Sequence, residues 1–278
     1  MIADFLITFR ETLEAALVVG IVLAYLSRTK QTRYNNVVYI GVAAGIVASV
    51  IGALLFIEVF HGFEGRAEQI FEGVTMLLGA FLLTTMILWM AKQKHVAKEL
   101  QNKVSMEIEE ASKFGLFLLV FVAVLREGIE TVIFLRAASF VSGNSLFAII
   151  AGVIAAIFLG FLIFVSSMKI NLKTFFNFTN ILLILFAAGL IVNGVHEFQE
   201  AKIIPELIGH VWDINPQAPL ASEGIYPLIH EKGAIGELFK DLFGYNASPS
   251  LFEAMAYFVY IILVLMLWKN INVKDDSK

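Results

Sequence analysis

Six charged residues stand where charge is costly. Arg10-Glu-Thr-Leu-Glu14 and Arg126-Glu-Gly-Ile-Glu130 are two copies of one pattern, each inside an apolar run. A charged residue at the centre of a membrane helix costs about 2.5–3.5 kcal/mol, so six carry a gross penalty of about 15–20 kcal/mol, reduced by pairing and water. A structural Arg–Glu pair between two helices explains one such copy. It does not explain a second copy, or the second glutamate in each. Positions i and i+3 share a helix face, so Glu11 and Glu14 point the same way, as do Glu127 and Glu130. Arg10 and Arg126 each precede the second glutamate by four residues, within reach to pair with it. Each motif carries a net −1. Two of them make a poor resting state in a water-poor place without a cation, and a good one with it. The chain has no cysteine, and the motifs offer only oxygen, so they favour a hard cation such as ferric iron, ferrous iron or manganese over copper(I).

These motifs require elements that hold them in lipid. Of 278 residues 59% are hydrophobic and 16% charged, and 25 are phenylalanine. Mean hydropathy is +0.81. This composition excludes disorder, a disulfide scaffold, thiolate metal sites and a Cys nucleophile. A formal charge of −4 with scattered basic residues argues against a nucleic-acid partner. A spanning helix needs about 20 mostly apolar residues. Seven candidates occur, at about 5–26, 37–60, 70–91, 114–139, 146–168, 178–199 and 252–268. The sequence thus reads as an all-α integral membrane protein with seven transmembrane helices in a lipid bilayer. Thirteen of the 20 Lys and Arg fall in the connections 27–36, 92–113 and 169–177 and at the C-terminus, which places the N-terminus outside and the C-terminus in the cytoplasm.

The duplication also predicts architecture. Residues 7–26 and 123–142 align around the motif, which divides the spans into one repeat at about 5–91, a second at about 114–199 and a seventh helix at about 252–268. The whole, 1–278, is one transmembrane domain. Three crossings reverse direction, so the repeats are inverted, and inverted repeats place substrate near the midplane at their interface. Glu11, Glu14, Glu127 and Glu130 are expected to converge there. The connection 200–251 holds all five prolines and the amphipathic stretch 235–243, and reads as an ordered outer cap. Gly41 and Gly45 in span two, and Gly152 and Gly160 in span five, are close-packing signals.

A second group lies toward the outer side. Glu68 and Glu72 share one helix stripe with Glu64, and His196, Glu197 and Glu200 end span six. A solvated acidic face or polar cap accounts for them structurally; functionally they form an acidic entrance that concentrates cations. Arg136 either pairs with an outer acid such as Glu197 or snorkels. His210 and His230 read as surface histidines, His95 as a cytoplasmic one, and Glu107, Glu109 and Glu110 as a solvated cytoplasmic helix. Glu58 and His61 join the outer acidic face. No phosphate-binding loop or nucleophile motif is present. A di-iron oxidase would use Glu-x-x-His pairs, so the enzyme reading is the weaker one. A proton-coupled transporter of another hard divalent cation, manganese or lead, is the nearer alternative.

Taken together, the paired Arg-Glu-x-x-Glu motifs, Phe71-Glu-Gly73, the stretch from Gly189 through Gly194-Val-His-Glu-Phe-Gln-Glu200, and Phe243-Gly-Tyr-Asn246 resemble the oxidase-dependent iron permease family, which includes fungal high-affinity iron permeases and the bacterial permeases of three-component uptake systems. The resemblance implies iron import across the cell membrane by a multi-pass protein. It implies iron as transported substrate, the motif glutamates as ligands, no organic cofactor, and extracytoplasmic partners that deliver or oxidise iron.

Overall fold

The computed structural model describes residues 1–60, 63–92, 104–106, 113–165, 172–205, 211–214, 228, 230 and 233–276. His61, His95, His210 and the Glu107–Glu109–Glu110 group lie outside them. The described residues are helical, with no strand among them. In chain order the helices are α1 (Ile2–Arg28), a 3-10 turn (Thr32–Tyr34), α2 (Asn35–Phe60), α3 (Arg66–Lys92), α4 (Lys113–Ser142), α5 (Leu146–Val165), α6 (Leu172–Glu200), α7 (Ala234–Phe243) and α8 (Leu251–Asp276). The seven apolar segments fall on α1 to α6 and α8. The last runs to Asp276, beyond the expected stop at Trp268.

Among the described residues, five segments are long and apolar enough to cross a membrane: Thr32–Glu58, Arg66–Met90, Leu146–Phe164, Phe176–Glu200 and Leu251–Lys269. α1 and α4 are of similar length, 27 and 30 residues, but each carries its three motif charges within the apolar run. Large apolar side chains face outward on α2, α5 and α8, among them Leu55, Phe158 and Leu265. Lipid satisfies such surfaces as well as protein does, so helix contacts rely on close backbone approach instead. The protein is an all-helical integral membrane protein.

Glycines mark those contacts. Gly152 on α5 faces Phe5, Thr8 and Phe9 of α1, Gly160 faces Ala16, and Gly20 faces Phe164; the numbers rise together, so α1 and α5 run parallel. Gly41 faces Val120, Gly45 faces Val124, and Ser49 faces Gly128, so α2 and α4 are also parallel. Each motif helix therefore packs on a glycine-marked helix from the other half of the chain. α3 and α6 run antiparallel: Gly73 meets Phe198 and Gly194, Leu77 meets Gly194, and Gly79 lies near Leu190. α1 and α4 touch each other. The main apolar core fills the space between α3, α4, α6 and α8, around Met76, Leu83, Phe134, Leu183 and Tyr260.

The amphipathic stretch 235–243 forms α7, which packs on α6. Its last turn ends at Gly244, whose φ of +63° lies in the left-handed region that glycine occupies without a steric cost. Gly244 also sits against the backbone of Gly189: a Cβ on Gly189 would stand 2.6 Å from the Gly244 Cα. Two of the sequence fragments singled out above are thus a single contact. His230, expected at the surface, is 3% exposed.

Candidate functional site

α1 and α4 bring the two motifs together. Glu11, Glu14 and Glu127 each present a carboxylate oxygen, and these oxygens all lie within 4.8 Å of one another. The i, i+3 spacing supplies two of them from one turn of α1, and the α1–α4 contact supplies the third. Glu130 lies outside this trio. Both Glu11 oxygens are buried and face no hydrogen-bond donor; Oε2 of Glu127 and Oε2 of Glu130 are likewise buried without a partner.

Each arginine binds its own i+4 glutamate, as the spacing predicts. Arg10 Nε donates to Glu14 Oε1 at 2.9 Å, and Arg126 Nε donates to Glu130 Oε1 at 2.9 Å. Their surroundings differ. Arg10 is fully buried, and its Nη2 donates to Met90 Sδ at 3.2 Å. The Arg126 side chain is 46% exposed; it stands 3.7 Å from Glu127 Oε1 and its guanidinium lies 5.2 Å from the centre of the Trp89 ring. Four carboxylates and two guanidiniums leave a formal −2. Buried carboxylate oxygens without donors are costly, and a cation removes that cost. The donor set is oxygen alone, which suits a hard cation.

The second motif also needs its glycine. Gly128 packs directly on Ser49 of α2, where a Cβ would overlap the Ser49 hydroxyl. Ser49 is itself buried and donates to the Gly45 carbonyl at 2.8 Å.

The second group forms where antiparallel packing sets the start of α3 beside the end of α6. Gln69 Nε2 donates to Glu200 Oε2 at 3.0 Å, and His196 Nε2 lies 3.2 Å from Glu200 Oε1. Glu197 interacts electrostatically with Glu72, Glu200, His196 and Glu68, so all five candidates share one field. Arg136 interacts electrostatically with Glu72, and its guanidinium lies 4.8 Å from the Phe140 ring centre.

The residue that sequence reasoning missed is Glu253. It is 2% exposed, on the first turn of α8. Its Oε1 pairs with His196 Nδ1 at 2.9 Å, and its Oε2 accepts from Asn246 Nδ2 at 3.0 Å and from the Ser250 amide at 3.4 Å. Ser250 Oγ accepts in return from the Glu253 amide at 3.3 Å and donates to Gln199 Oε1 at 2.9 Å. This is a capping box, and Ser250-x-x-Glu253 ahead of an apolar run is its sequence signature. The signature was legible; that the same carboxylate also orients His196 was not.

A model of the iron permease FTR1 family matches residues 1–274. The ferrous iron permease EfeU of Escherichia coli O6:H1 is 32% identical over 273 residues, which cover 96% of this chain and 94% of the relative. EfeU of Shigella sonnei is 32% identical with the same coverage, and EfeU of Yersinia pestis is 31% identical over 96% of this chain and 93% of its own. These relatives are named as permeases, not enzymes. No solved structure matches. On these matches across nearly its whole length, the chain belongs to the iron permease FTR1 family.

Proposed function

We propose that this protein is an iron permease that carries iron ions, ferrous or ferric, across the cell membrane through a central carboxylate site made by the two Arg-Glu-x-x-Glu motifs. The observation that carries this reading is the trio Glu11, Glu14 and Glu127, from two helices, with the Glu11 oxygens buried and without donors. Glu130 is the fourth ligand. The ferrous iron permeases to which the chain is similar support iron as the cargo and ferrous iron as one of its forms.

In this reading seven helices span the bilayer, the N-terminus lies outside and the C-terminus in the cytoplasm. The single domain holds two inverted repeats. The exchanged parallel pairs, α1 with α5 and α2 with α4, support the repeat, because the two-fold operation that exchanges α1 with α4 also exchanges α5 with α2. Glu68, Glu72, His196, Glu197 and Glu200 form the outer entrance, with Glu253 fixing the imidazole. Iron collected there sheds water and passes to the central glutamates. Arg10 and Arg126 neutralise part of the empty site by pairing with Glu14 and Glu130. A proton competing for carboxylate oxygen aids unloading. Extracytoplasmic proteins deliver or oxidise the iron.

Radioiron uptake into proteoliposomes tests this. Glu11→Gln and Glu127→Gln are expected to lose uptake. Uptake undiminished in the double variant refutes the central site. Manganese or lead that competes with iron at equal concentration, and is itself carried, favours the broader hard-cation reading.

A further inference from the structure

The geometry points to Trp89 as a positioning residue for Arg126: the indole face holds the guanidinium while it slides off Glu130, and so lets the second motif, not the first, open to the cation. This rests on the central-site reading above.

The two motifs match in sequence but not in surroundings. Adjacent residues of α3 engage the two arginines, Met90 taking Arg10 and Trp89 taking Arg126. Arg10 has nowhere to go: it is fully buried and held between Glu14 and the Met90 sulfur. Arg126 has room, with its side chain 46% exposed and Trp89 itself 45% exposed. Arg126 also spans both glutamates of its motif, at 2.9 Å from Glu130 and 3.7 Å from Glu127. Glu130 is the one motif carboxylate outside the trio, and its Oε1 is held by Arg126. Glu14, held by Arg10 at the same distance, already belongs to the trio, so Glu130 is kept apart by where Arg126 fixes it and not by the loss of an oxygen; it joins the trio when Arg126 moves.

An arginine that must leave needs a second partner that does not bind it as firmly as a carboxylate. An aromatic face supplies one: a guanidinium within about 6 Å of the ring centroid is attracted by the ring's quadrupole, and the attraction survives rotation in the plane of the face. The edge that donates to Glu130 can turn away while the face stays stacked. An acidic residue at position 89 would lock the arginine instead.

The test is iron uptake by the full chain in proteoliposomes for Trp89→Leu and Trp89→Phe. Leucine and phenylalanine both shorten the side chain and keep it apolar; leucine removes the quadrupole and phenylalanine retains one. Trp89→Leu is expected to lower the maximal rate about three- to tenfold, with the half-saturating iron concentration shifted less than about twofold, because the trio that captures the ion is untouched. Trp89→Phe is expected to recover most of the rate. A series of fluorinated tryptophans at position 89, which weakens the quadrupole without altering packing, should reduce the rate stepwise; this arm decides if Trp89→Leu fails to accumulate in the membrane. A wild-type rate in Trp89→Leu, equal losses in the leucine and phenylalanine variants, or indifference to fluorination overturns the proposal. In the same assay, Glu11→Gln separates the two ideas: lost uptake there beside a normal Trp89→Leu removes the role of Trp89 and leaves the central site standing, whereas normal uptake in Glu11→Gln removes the site.

Discussion

Glu11→Gln should stabilise the protein and abolish its transport, and this pairing of opposite signs is a demanding test of the site. Glu11 is 1% exposed, both its oxygens lack donors, and the ligand oxygens of Glu14 and Glu127 lie within 4.8 Å. Two unit charges at that separation repel by about 3.5 kcal/mol at an effective dielectric of about 20. Glu11 faces two such neighbours, and Arg10, whose Nε is committed to Glu14, offsets only part of this. Glutamine keeps the shape and removes the charge. After the offset, a gain of about 1–3 kcal/mol is expected, which raises the melting temperature by several degrees for a chain of this size. Ferrous iron at about a hundredfold above its dissociation constant stabilises a binding protein by about 2.7 kcal/mol. The wild type should therefore melt higher with iron, whereas Glu11→Gln should melt higher without it and shift little when it is added. Intrinsic-fluorescence melting in detergent, with and without ferrous iron, reads both quantities on one sample. A variant that melts lower than wild type, or that keeps the full iron-dependent shift, refutes the argument that Glu11 is an uncompensated ligand rather than a structural ion-pair partner.

Other positions carry sharp expectations. Gly128→Val drives a branched side chain into Ser49 and should separate α2 from α4 beside Glu127, lowering thermal stability by about 2 kcal/mol or more and reducing uptake; Gly128→Ala should do less of both. Gly189→Ala forces its Cβ onto the Gly244 backbone, where no side chain can yield, so α7 should detach from α6, detectable as faster hydrogen exchange across Ala234–Phe243. Glu253→Ala leaves His196 Nδ1 and Asn246 Nδ2 without their carboxylate and removes the cap of α8; a loss of about 2–4 kcal/mol of stability is expected, and Glu253→Gln should recover part of it. Cysteine in place of the exposed Asn144, between α4 and α5, should react with an impermeant maleimide added outside intact cells; labelling only after permeabilisation inverts the proposed orientation.

Much of this was legible in one dimension. Helix periodicity alone sets Glu11 beside Glu14 and Arg10 beside Glu14, because those relations lie within one or two turns, and the 2.9 Å Arg–Glu bonds follow from it. The small residues Gly41, Gly45, Gly152 and Gly160 announced close contacts, since only small residues permit them in lipid. Their partners were not announced: nothing in the sequence says that α1 lies along α5 and α2 along α4, because parallel and antiparallel neighbours place the same demand for a missing Cβ. Glu253 was hidden for the same reason, as its partner His196 lies 57 residues away.

The sequence by itself determined the chemistry, namely oxygen ligands, paired charges and a lipid-facing chain, because composition and i, i+3, i+4 spacing are local properties. Tertiary structure decided which carboxylates meet. It made a trio of Glu11, Glu14 and Glu127 rather than a symmetric quartet, and it buried Arg10 while leaving Arg126 half exposed on Trp89. Two motifs of one pattern became unequal because the burial of a charged group is fixed by what packs against it from other helices, and that is not encoded in the motif.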